Sequence, residues 1–559
     1  MNLTLNHVGV LSHLARFISL SVVGLSLVLF STCKSRPEAS SLRDASAGGI
    51  DRCVALRGNG THVIAHMTSL AKITEQWGQI DAFAGGSSST MTTFMYESVL
   101  MNPSIKKMDD TNRGQGISLL LKSMVGFAQE TLADPEWKAL VASVAIAKKL
   151  AAKGTFDLPP SESAKIALDL KLILADENFK ALVNPEVLQM LEPNAPVTYG
   201  AFNTRVLEVR KAASSLVDLD ASDADVFFRP GILNFPYFVS MVGRVGDFYA
   251  GIGVDQAAMS EFISNCSVDA SDKLWPDISA KKTASGTCGG QFSEIVKSWK
   301  SKNRSQKSSR LLDPPGLAVK SIMITSVVVD PATIEVIKAY EKLYLTGQKR
   351  NLDVSFDQIR FGYWTSLGLP SNLISSWQGS GGGVKADKAI FLGAAKNWRQ
   401  ILEKSPREPS LGKYVEFGRD EVTAGALSLG GWADLHPVQV LKHAGCKDVI
   451  YLTRRTDETE FITKGPPFSG RGRSGLAELL GMDKEDYDKI YSLDLESSSY
   501  SEALKNSTGV WCTDWNKFSC FEQNEIAIDS WKTPLVTRDP RLSSWPGADS
   551  SGAKIRGCN

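Results

Sequence analysis

A serine flanked by small residues follows a short apolar segment in the first fifth of the chain. Gly85-Gly86-Ser87-Ser88-Ser89 comes directly after Ile80-Asp81-Ala82-Phe83-Ala84 and precedes a helical pattern. A nucleophilic serine in a sharp strand-to-helix turn needs very small neighbours, because the turn is strained and its flanks press on adjacent strands. The pattern therefore predicts a nucleophile elbow with Ser87 at a helix N-terminus, where the helix dipole favours developing negative charge. A turn of small residues without chemistry is the alternative.

A second glycine-containing turn lies upstream of this serine. The segment from Leu56 to His62 ends one apolar stretch and opens a helical pattern. Backbone N–H groups in such a turn can point at an oxyanion, although phosphate binding or close packing would fit the same pattern. In combination with the elbow, the turn predicts an oxyanion hole built from the amides of Gly58, Asn59 and Gly60.

The elements that must position these two turns alternate between strand and helix. Apolar segments at 53–56 and 80–84 are each followed by a turn and a helical pattern, at 63–77 and 91–100. Such alternation is typical of an α/β fold with parallel strands. Strand patterns resume at 321–329 and 447–452, whereas residues 105 to about 310 carry helical patterns.

Three blocks of the chain, in this order, resemble the patatin-like phospholipases. The first block of that family is a strand, a Gly-Gly-Gly-x-Arg/Lys-Gly turn and a helix, and Gly58 to Val63 is similar to it. The second block is Gly-x-Ser-x-Gly after a strand, which resembles Gly85 to Ser89. The third is Asp-Gly-Gly followed by Asn and Pro-Val, which resembles Leu429 to Val438. The likeness covers roughly residues 53 to 100 and 318 to 455.

The resemblance implies both a fold and an activity. The fold would be a three-layer α/β/α sandwich, here with a large helical insertion. The activity would be hydrolysis of lipid acyl esters by a Ser-Asp dyad, through an acyl-enzyme and without a cofactor or metal. Lipid or phospholipid esters would be the substrates.

The sequence departs from the family pattern at the residue that would accept the serine proton. Leu429 stands where the family has its dyad aspartate, and leucine cannot accept a proton. Asp434, five positions downstream, is the nearest following carboxylate, and His436 beside it could act as base in a more conventional triad. Loop capping by Asp434 and packing of His436 are the non-catalytic alternatives.

Three hypotheses follow. The first is a lipid acyl hydrolase in which Ser87 attacks and Asp434, helped by His436, takes its proton. The second is a catalytically inactive patatin-like fold that binds lipid or a partner in the cell envelope, with Leu429 as its signature. The third is an unrelated α/β hydrolase in which Ser87 works with His436 and a distant acid.

The N-terminal segment predicts export. His13 and Arg16 lead into an apolar run from Phe17 to Phe30, which is too short to span a bilayer comfortably. The run ends in Ser31-Thr32-Cys33, which resembles a bacterial lipoprotein signal with lipidation at Cys33; ordinary cleavage is the alternative. We expect a bacterial envelope lipoprotein, or a periplasmic or secreted protein, that reaches the membrane surface through this anchor.

The chain divides into segments of different character. A length of 559 residues exceeds the usual size of one domain. The sequence predicts a signal peptide over 1–32, a flexible tether over 33–50, a first core part over 51–104 and a helical insertion or cap over 105–317. A second core part over 318–455 and a C-terminal extension over 456–559 complete the chain.

Seven further cysteines follow Cys33, in a compartment that permits disulfides. Their spacing suggests the pairs Cys266 with Cys288 and Cys512 with Cys520, although connectivity does not follow from sequence. A zinc site is disfavoured because the chain has no C-x-x-C motif.

The overall charge excludes one class of function. The chain has 62 Lys+Arg against 61 Asp+Glu and a formal net charge of +1. A nucleic-acid binder needs a concentrated surplus of basic residues, so no nucleic-acid partner is expected. The 23 Phe, 12 Trp and 12 Tyr exclude disorder as the dominant state.

Overall fold

A computed structural model describes a defined part of the chain, and all structural statements below concern that part. Outside it lie the predicted signal segment and the tether with Cys33 up to residue 49, the oxyanion residues Asn59 and Gly60, the candidate base Asp434, and Cys520. The described residues are 50–58, 63–133, 175, 177–182, 184–185, 234–266, 274–303, 308–314, 317–345, 358–367, 389–407, 414–431, 436–454, 503, 506–513 and 536–537.

Strands and helices alternate at the start of the chain and again in its second half. The strands are β1 Arg52–Leu56, β2 Ala82–Gly86, β3 Lys282–Thr283, β4 Gly286–Thr287, β5 Lys320–Val328, β6 Ile359–Thr365, β7 Ala389–Gly393, β8 Val415–Glu416, β9 Leu427–Ser428, β10 Asp448–Arg454, β11 Gly509–Thr513 and β12 Val536–Thr537. The helices are α1 Val63–Trp77, α2 Ser88–Met101, α3 Pro103–Lys106, α4 Asp110–Leu132, α5 Glu177–Leu182, α6 Phe235–Tyr249, α7 Gln256–Cys266, α8 Trp275–Ala280, α9 Cys288–Lys302, α10 Pro331–Leu345, α11 Trp398–Leu402 and α12 Val438–His443.

The central sheet has the strand order β12-β11-β10-β1-β2-β5-β6-β7, and β9 adds to β5 with β8 beside it. The pairs β10–β11, β1–β10, β1–β2, β2–β5 and β6–β7 are parallel, whereas β5 pairs with β6 and with β9 in antiparallel fashion. The predicted mixed α/β fold with a mostly parallel sheet is therefore confirmed. β3 and β4 form a separate hairpin.

Both faces of the sheet are covered, which explains the near-continuous apolar sequence of its strands. Successive residues of β1 alternate between two cores: Val54 and Leu56 pack in one, and Cys53 and Ala55 in the other. The second core also holds Val438, Val440 and Leu441 of α12. The sheet thus lies between apolar layers on both sides.

The described helices of the 105–317 segment pack into the first of these cores. Phe127 of α4, Phe248 of α6 and Trp299 of α9 are buried in it together with Leu56 of β1. The side-chain amide of Asn102 donates to the Tyr249 carbonyl at 2.8 Å, which ties α6 to the end of α2. These helices share one hydrophobic core with the sheet.

Two disulfides join described residues. Cys266–Cys288, predicted from its spacing, is confirmed. Cys53–Cys446, with a sequence separation of 393, was not predicted, and it links β1 to the turn between α12 and β10. Cys512 lies on β11, and its predicted partner Cys520 is outside the described residues.

The C-terminal part of the chain contributes β11, which the sequence did not predict. β11 pairs with β10 in parallel register, from Ile450↔Gly509 to Arg454↔Thr513. Trp511 on this strand is fully buried, and the Lys72 ammonium of α1 lies 4.8 Å from its ring centroid. The sheet therefore extends beyond residue 455.

Removing the Cys53–Cys446 disulfide should destabilise the protein more than removing Cys266–Cys288. The entropy of closing a loop predicts roughly 5–6 kcal/mol for the separation of 393 residues and about 3 kcal/mol for the separation of 22. The comparison is urea denaturation of the double variants Cys53→Ala/Cys446→Ala and Cys266→Ala/Cys288→Ala. Equal midpoints for the two variants would contradict this expectation.

Candidate functional site

Ser87 occupies a strained backbone position between β2 and α2. Its φ is 54° and its ψ is −132°, and among the described residues it is the sole non-glycine residue with a positive φ. Such a conformation costs roughly 1–3 kcal/mol and persists only where the surroundings enforce it. Ser87 is partly exposed, whereas Gly86 and Ser88 on either side are buried. This is the geometry of the predicted nucleophile elbow.

Hydroxyl groups of α2 hold the elbow in place. The Thr90 amide and hydroxyl both donate to the Ser87 carbonyl, at 3.1 and 2.6 Å. Ser89 stands where the patatin-like pattern has a glycine, and its Oγ contacts the carbonyls of Leu56 at 3.1 Å and Arg57 at 2.8 Å. The elbow helix is thereby fastened to the end of β1.

The Gly430-Gly431 loop lies directly against the elbow. A Cβ on Gly86 would overlap the Gly431 carbonyl, and a Cβ on Gly431 would overlap the Ser87 nitrogen. Both glycines are therefore required by the close approach of two backbones. The second and third sequence blocks, far apart in the chain, meet at this point.

Leu429 is anchored next to this contact. Its amide donates to the Ser326 carbonyl at 2.9 Å, the Ser326 amide donates to the Gly430 carbonyl at 2.6 Å, and its side chain is buried. The position that resembles the family's dyad aspartate thus carries a buried apolar side chain.

The two predicted turns lie at the same edge of the sheet. Leu56 of β1 is in register with Gly85 of β2, so Gly58 and Ser87 each follow two residues beyond a paired position. Neighbouring strands are about 4.8 Å apart, which brings Gly58 close to the elbow. Asn59 and Gly60, the other predicted oxyanion residues, lie outside the described residues.

The amide of Ser88 is a further candidate that the sequence reasoning did not name. It is the first residue of α2 and directly follows the strained Ser87. In elbow enzymes the amide after the nucleophile contributes to the oxyanion hole. The signal that could have identified Ser88 is its position directly after Ser87.

The Ser87 Oγ makes no hydrogen bond to any residue that the structure describes. Asp434, its predicted base, is outside those residues and follows Gly431 by three positions in the chain. The hydroxyl is therefore not engaged by any other described side chain.

His436 is buried, and its Nδ1 forms a hydrogen bond with the Tyr451 hydroxyl of β10. β1 separates β10 from β2 in the sheet, so Tyr451 and the elbow strand are about 10 Å apart. No hydrogen bond between His436 and Ser87 occurs. The structure thus pairs His436 with Tyr451 of β10 and not with Ser87.

The segment after α11 supplies two contacts that the sequence did not indicate. Ser405 lies between the elbow, β5 and the Gly430-Gly431 loop, and its Oγ accepts the Ser87 amide at 3.0 Å. Arg407 lies under Phe235, with its guanidinium carbon 4.6 Å from the ring centroid, and burial lowers the pKa of Arg407 to about 10. Ser405 and Arg407 belong to no sequence motif that would have identified them.

Among the described residues, no group of three or more His, Cys, Asp or Glu side chains is arranged to hold a metal ion. Neither protein-family models nor curated proteins give a match to this chain. The resemblance to patatin-like phospholipases therefore rests on the motifs themselves and on their meeting at one edge of the sheet.

The Gly431→Ala substitution should disrupt the elbow. Its methyl group would overlap the Ser87 nitrogen and lie 2.8 Å from the Ile324 carbonyl, so the backbone must shift, at about 1–3 kcal/mol of unfolding free energy. Gly418→Ala is the matched control, because its methyl group would meet only a Glu421 carboxylate oxygen at 3.5 Å. Thermal denaturation of both variants is the measurement, and equal melting temperatures would show that the close approach is absent.

Proposed function

We propose that this protein is an exported serine ester hydrolase of the patatin-like type that cleaves acyl esters of lipids or phospholipids. The observation that supports it best is the positive φ of Ser87 at a strand-to-helix turn. A strained serine that is partly exposed at a sheet edge is the arrangement that a nucleophilic hydroxyl requires. The contact of this turn with the Gly430-Gly431 loop adds further support.

In the proposed reaction the Ser87 Oγ attacks the ester carbonyl carbon, and its proton passes to the base. The carbonyl oxygen becomes an oxyanion held by amides of the Gly58-Asn59-Gly60 turn and of Ser88. The bond to the leaving alcohol then breaks, and the base returns the proton to that alcohol. Water then attacks the acyl carbon and gives a proton to the base, the bond from that carbon to the Ser87 Oγ breaks, and the base returns the proton to Oγ as the carboxylic acid leaves. No cofactor or metal ion takes part.

Asp434 is the proposed base, with His436 as its helper. Both follow the Gly430-Gly431 loop closely in the chain, and that loop contacts the elbow. A carboxylate that accepts the serine proton must come within hydrogen-bond reach of Ser87 in the substrate complex.

We also propose a specific layer architecture for the fold. Apolar cores on both faces of the sheet, with α1 and α2 contributing to one and α12 to the other, support a three-layer α/β/α sandwich. The large helical segment over 105–317 would be the insertion that distinguishes this chain from a minimal patatin-like domain.

A location in the cell envelope follows from the proposed export. Two disulfides among described residues support an oxidising compartment. Within the part of the chain that the structure covers, no helix has the length and apolar character to cross a bilayer. Lipidation at Cys33 would bring the hydrolase to a membrane surface, where its substrates reside.

A fluorophosphonate probe should label the purified protein at Ser87. The hydroxyl oxygen forms a bond to phosphorus, fluoride leaves, and the proton passes to the base. Peptide mass spectrometry locates the adduct, and Ser87→Ala is expected to abolish it. Ser98→Ala, which removes a hydroxyl of α2, should leave labelling intact. If the folded wild-type protein forms no adduct, the proposed hydrolase activity is refuted.

The identity of the base is tested in the same assay. Asp434→Asn should slow labelling by roughly 100-fold to 10,000-fold, the usual contribution of a general base. Labelling that persists in Asp434→Asn but disappears in His436→Ala would instead favour a triad with a distant acid.

A second candidate function is lipid or partner binding without catalysis, and the buried Leu429 favours it. In that case the chain would have an intact elbow but no general base to accept the Ser87 proton. Leu429→Asp should then create labelling at Ser87 that the wild-type protein lacks. Leu429→Asn is the control, since it changes polarity without supplying a base.

A further inference from the structure

We infer that Ser405 is a positioning residue for the Ser87 nucleophile, an inference that rests on the proposed function. Ser405 follows α11 and is fully buried. It is separated from Ser87 by 318 positions in the chain. Its role follows from three contacts, each to a different element of the site.

The Ser405 hydroxyl joins the elbow to β5. Its Oγ accepts the Ser87 amide hydrogen at 3.0 Å and donates its own hydrogen to the Ile324 carbonyl. Both capacities of the hydroxyl are thereby used in fixed directions. The Ser87 nitrogen is one atom of the strained φ torsion. This hydrogen bond therefore restricts rotation about φ, which sets the direction of the Ser87 side chain.

The Ser405 main chain holds the loop that faces the elbow. Its carbonyl accepts the Gly431 amide at 2.6 Å, and its own amide donates to the Ile401 carbonyl of α11 at 2.8 Å. One residue therefore connects the nucleophile turn, the neighbouring strand and the Gly430-Gly431 loop to the end of a helix.

In the proposed reaction, the Ser87 amide and the other amides of the site therefore have different roles. The Ser87 amide points at Ser405 and is not directed at substrate. The oxyanion must therefore be bound by the amides that follow Ser87 and by the Gly58 turn. Loss of the Ser405 hydroxyl would free the Ser87 peptide to rotate, and small misplacements of a reacting atom reduce rates strongly.

The test compares three variants in the fluorophosphonate assay. Ser405→Ala should lower the limiting rate of labelling by roughly 10-fold to 100-fold, with the fraction of labelled protein and the half-saturating probe concentration unchanged. Ser405→Thr, which keeps the hydroxyl, should recover most of the rate. Ser428→Ala is the matched control, because its buried hydroxyl forms a hydrogen bond with Thr325 of β5 at 2.6 Å and none with Ser87.

The pattern of results separates positioning from general structure. A merely structural role would lower the fraction of protein that labels and would affect Ser428→Ala equally. Either result, or an unchanged limiting rate in Ser405→Ala, would overturn the inference. If Ser405→Ala does not fold, Ser405→Cys takes its place, since a thiol is a weak acceptor and the same slower labelling is expected.

A second measurement does not depend on catalysis. Hydrogen exchange of the Ser87 amide, followed by mass spectrometry with residue-level fragmentation, should be roughly 10-fold faster in Ser405→Ala and unchanged in Ser428→Ala. If the wild-type protein fails to label, the proposed function fails, while this exchange experiment still decides whether Ser405 holds the elbow. Unchanged exchange in Ser405→Ala would refute the positioning role.

Discussion

Two backbones meet at the end of β2 without room for a side chain between them, and this contact constrains the rest of the site. Gly431 lies against the Ser87 nitrogen, and Gly86 against the Gly431 carbonyl. The strained Ser87 peptide survives because hydrogen bonds from Thr90, and those made by Ser405, fix the atoms on both sides of it. Conformational strain of this kind is retained only where neighbouring structure enforces it, and it points to use in function.

The turn geometry of Ser87 and the presence of a base beside it are separable properties of this site. The elbow keeps its strain, its small flanks and its amides, although an apolar side chain occupies position 429. Stability alone does not explain such an arrangement, since a relaxed turn would cost less. The proposed function therefore depends on the elbow. The presence or absence of a base beside Ser87 would decide between the two proposals, hydrolysis and binding without catalysis.

Much of the core followed from sequence because it depends on local patterns. Apolar segments followed by glycine-rich turns predicted β1, α1, β2 and α2, and the order of parallel strands placed the Gly58 and Ser87 turns at one edge. Cys266–Cys288 closes a short loop and was also predicted.

The rest depends on contacts between distant segments, which no local pattern records. Ser405 is one serine among many, and only the folded chain brings it to Ser87. Cys53–Cys446 joins β1 to the turn before β10, its neighbour in the sheet, across a sequence separation of 393, and no spacing rule covers such a pair. β11 is a short strand that pairs with β10 after a long intervening segment, so its sequence alone gave no sign of membership in the sheet.

The position of β1 has a consequence for how the protein is made. β1 lies in the interior of the sheet, yet one of its two neighbours, β10, follows it in the chain by nearly 400 residues. Until that segment emerges, β1 presents an open strand edge, and sheets built from such remote pairings form slowly and aggregate readily beforehand. The central sheet of this chain is therefore complete around β1 only after residues 448–454 have been synthesised.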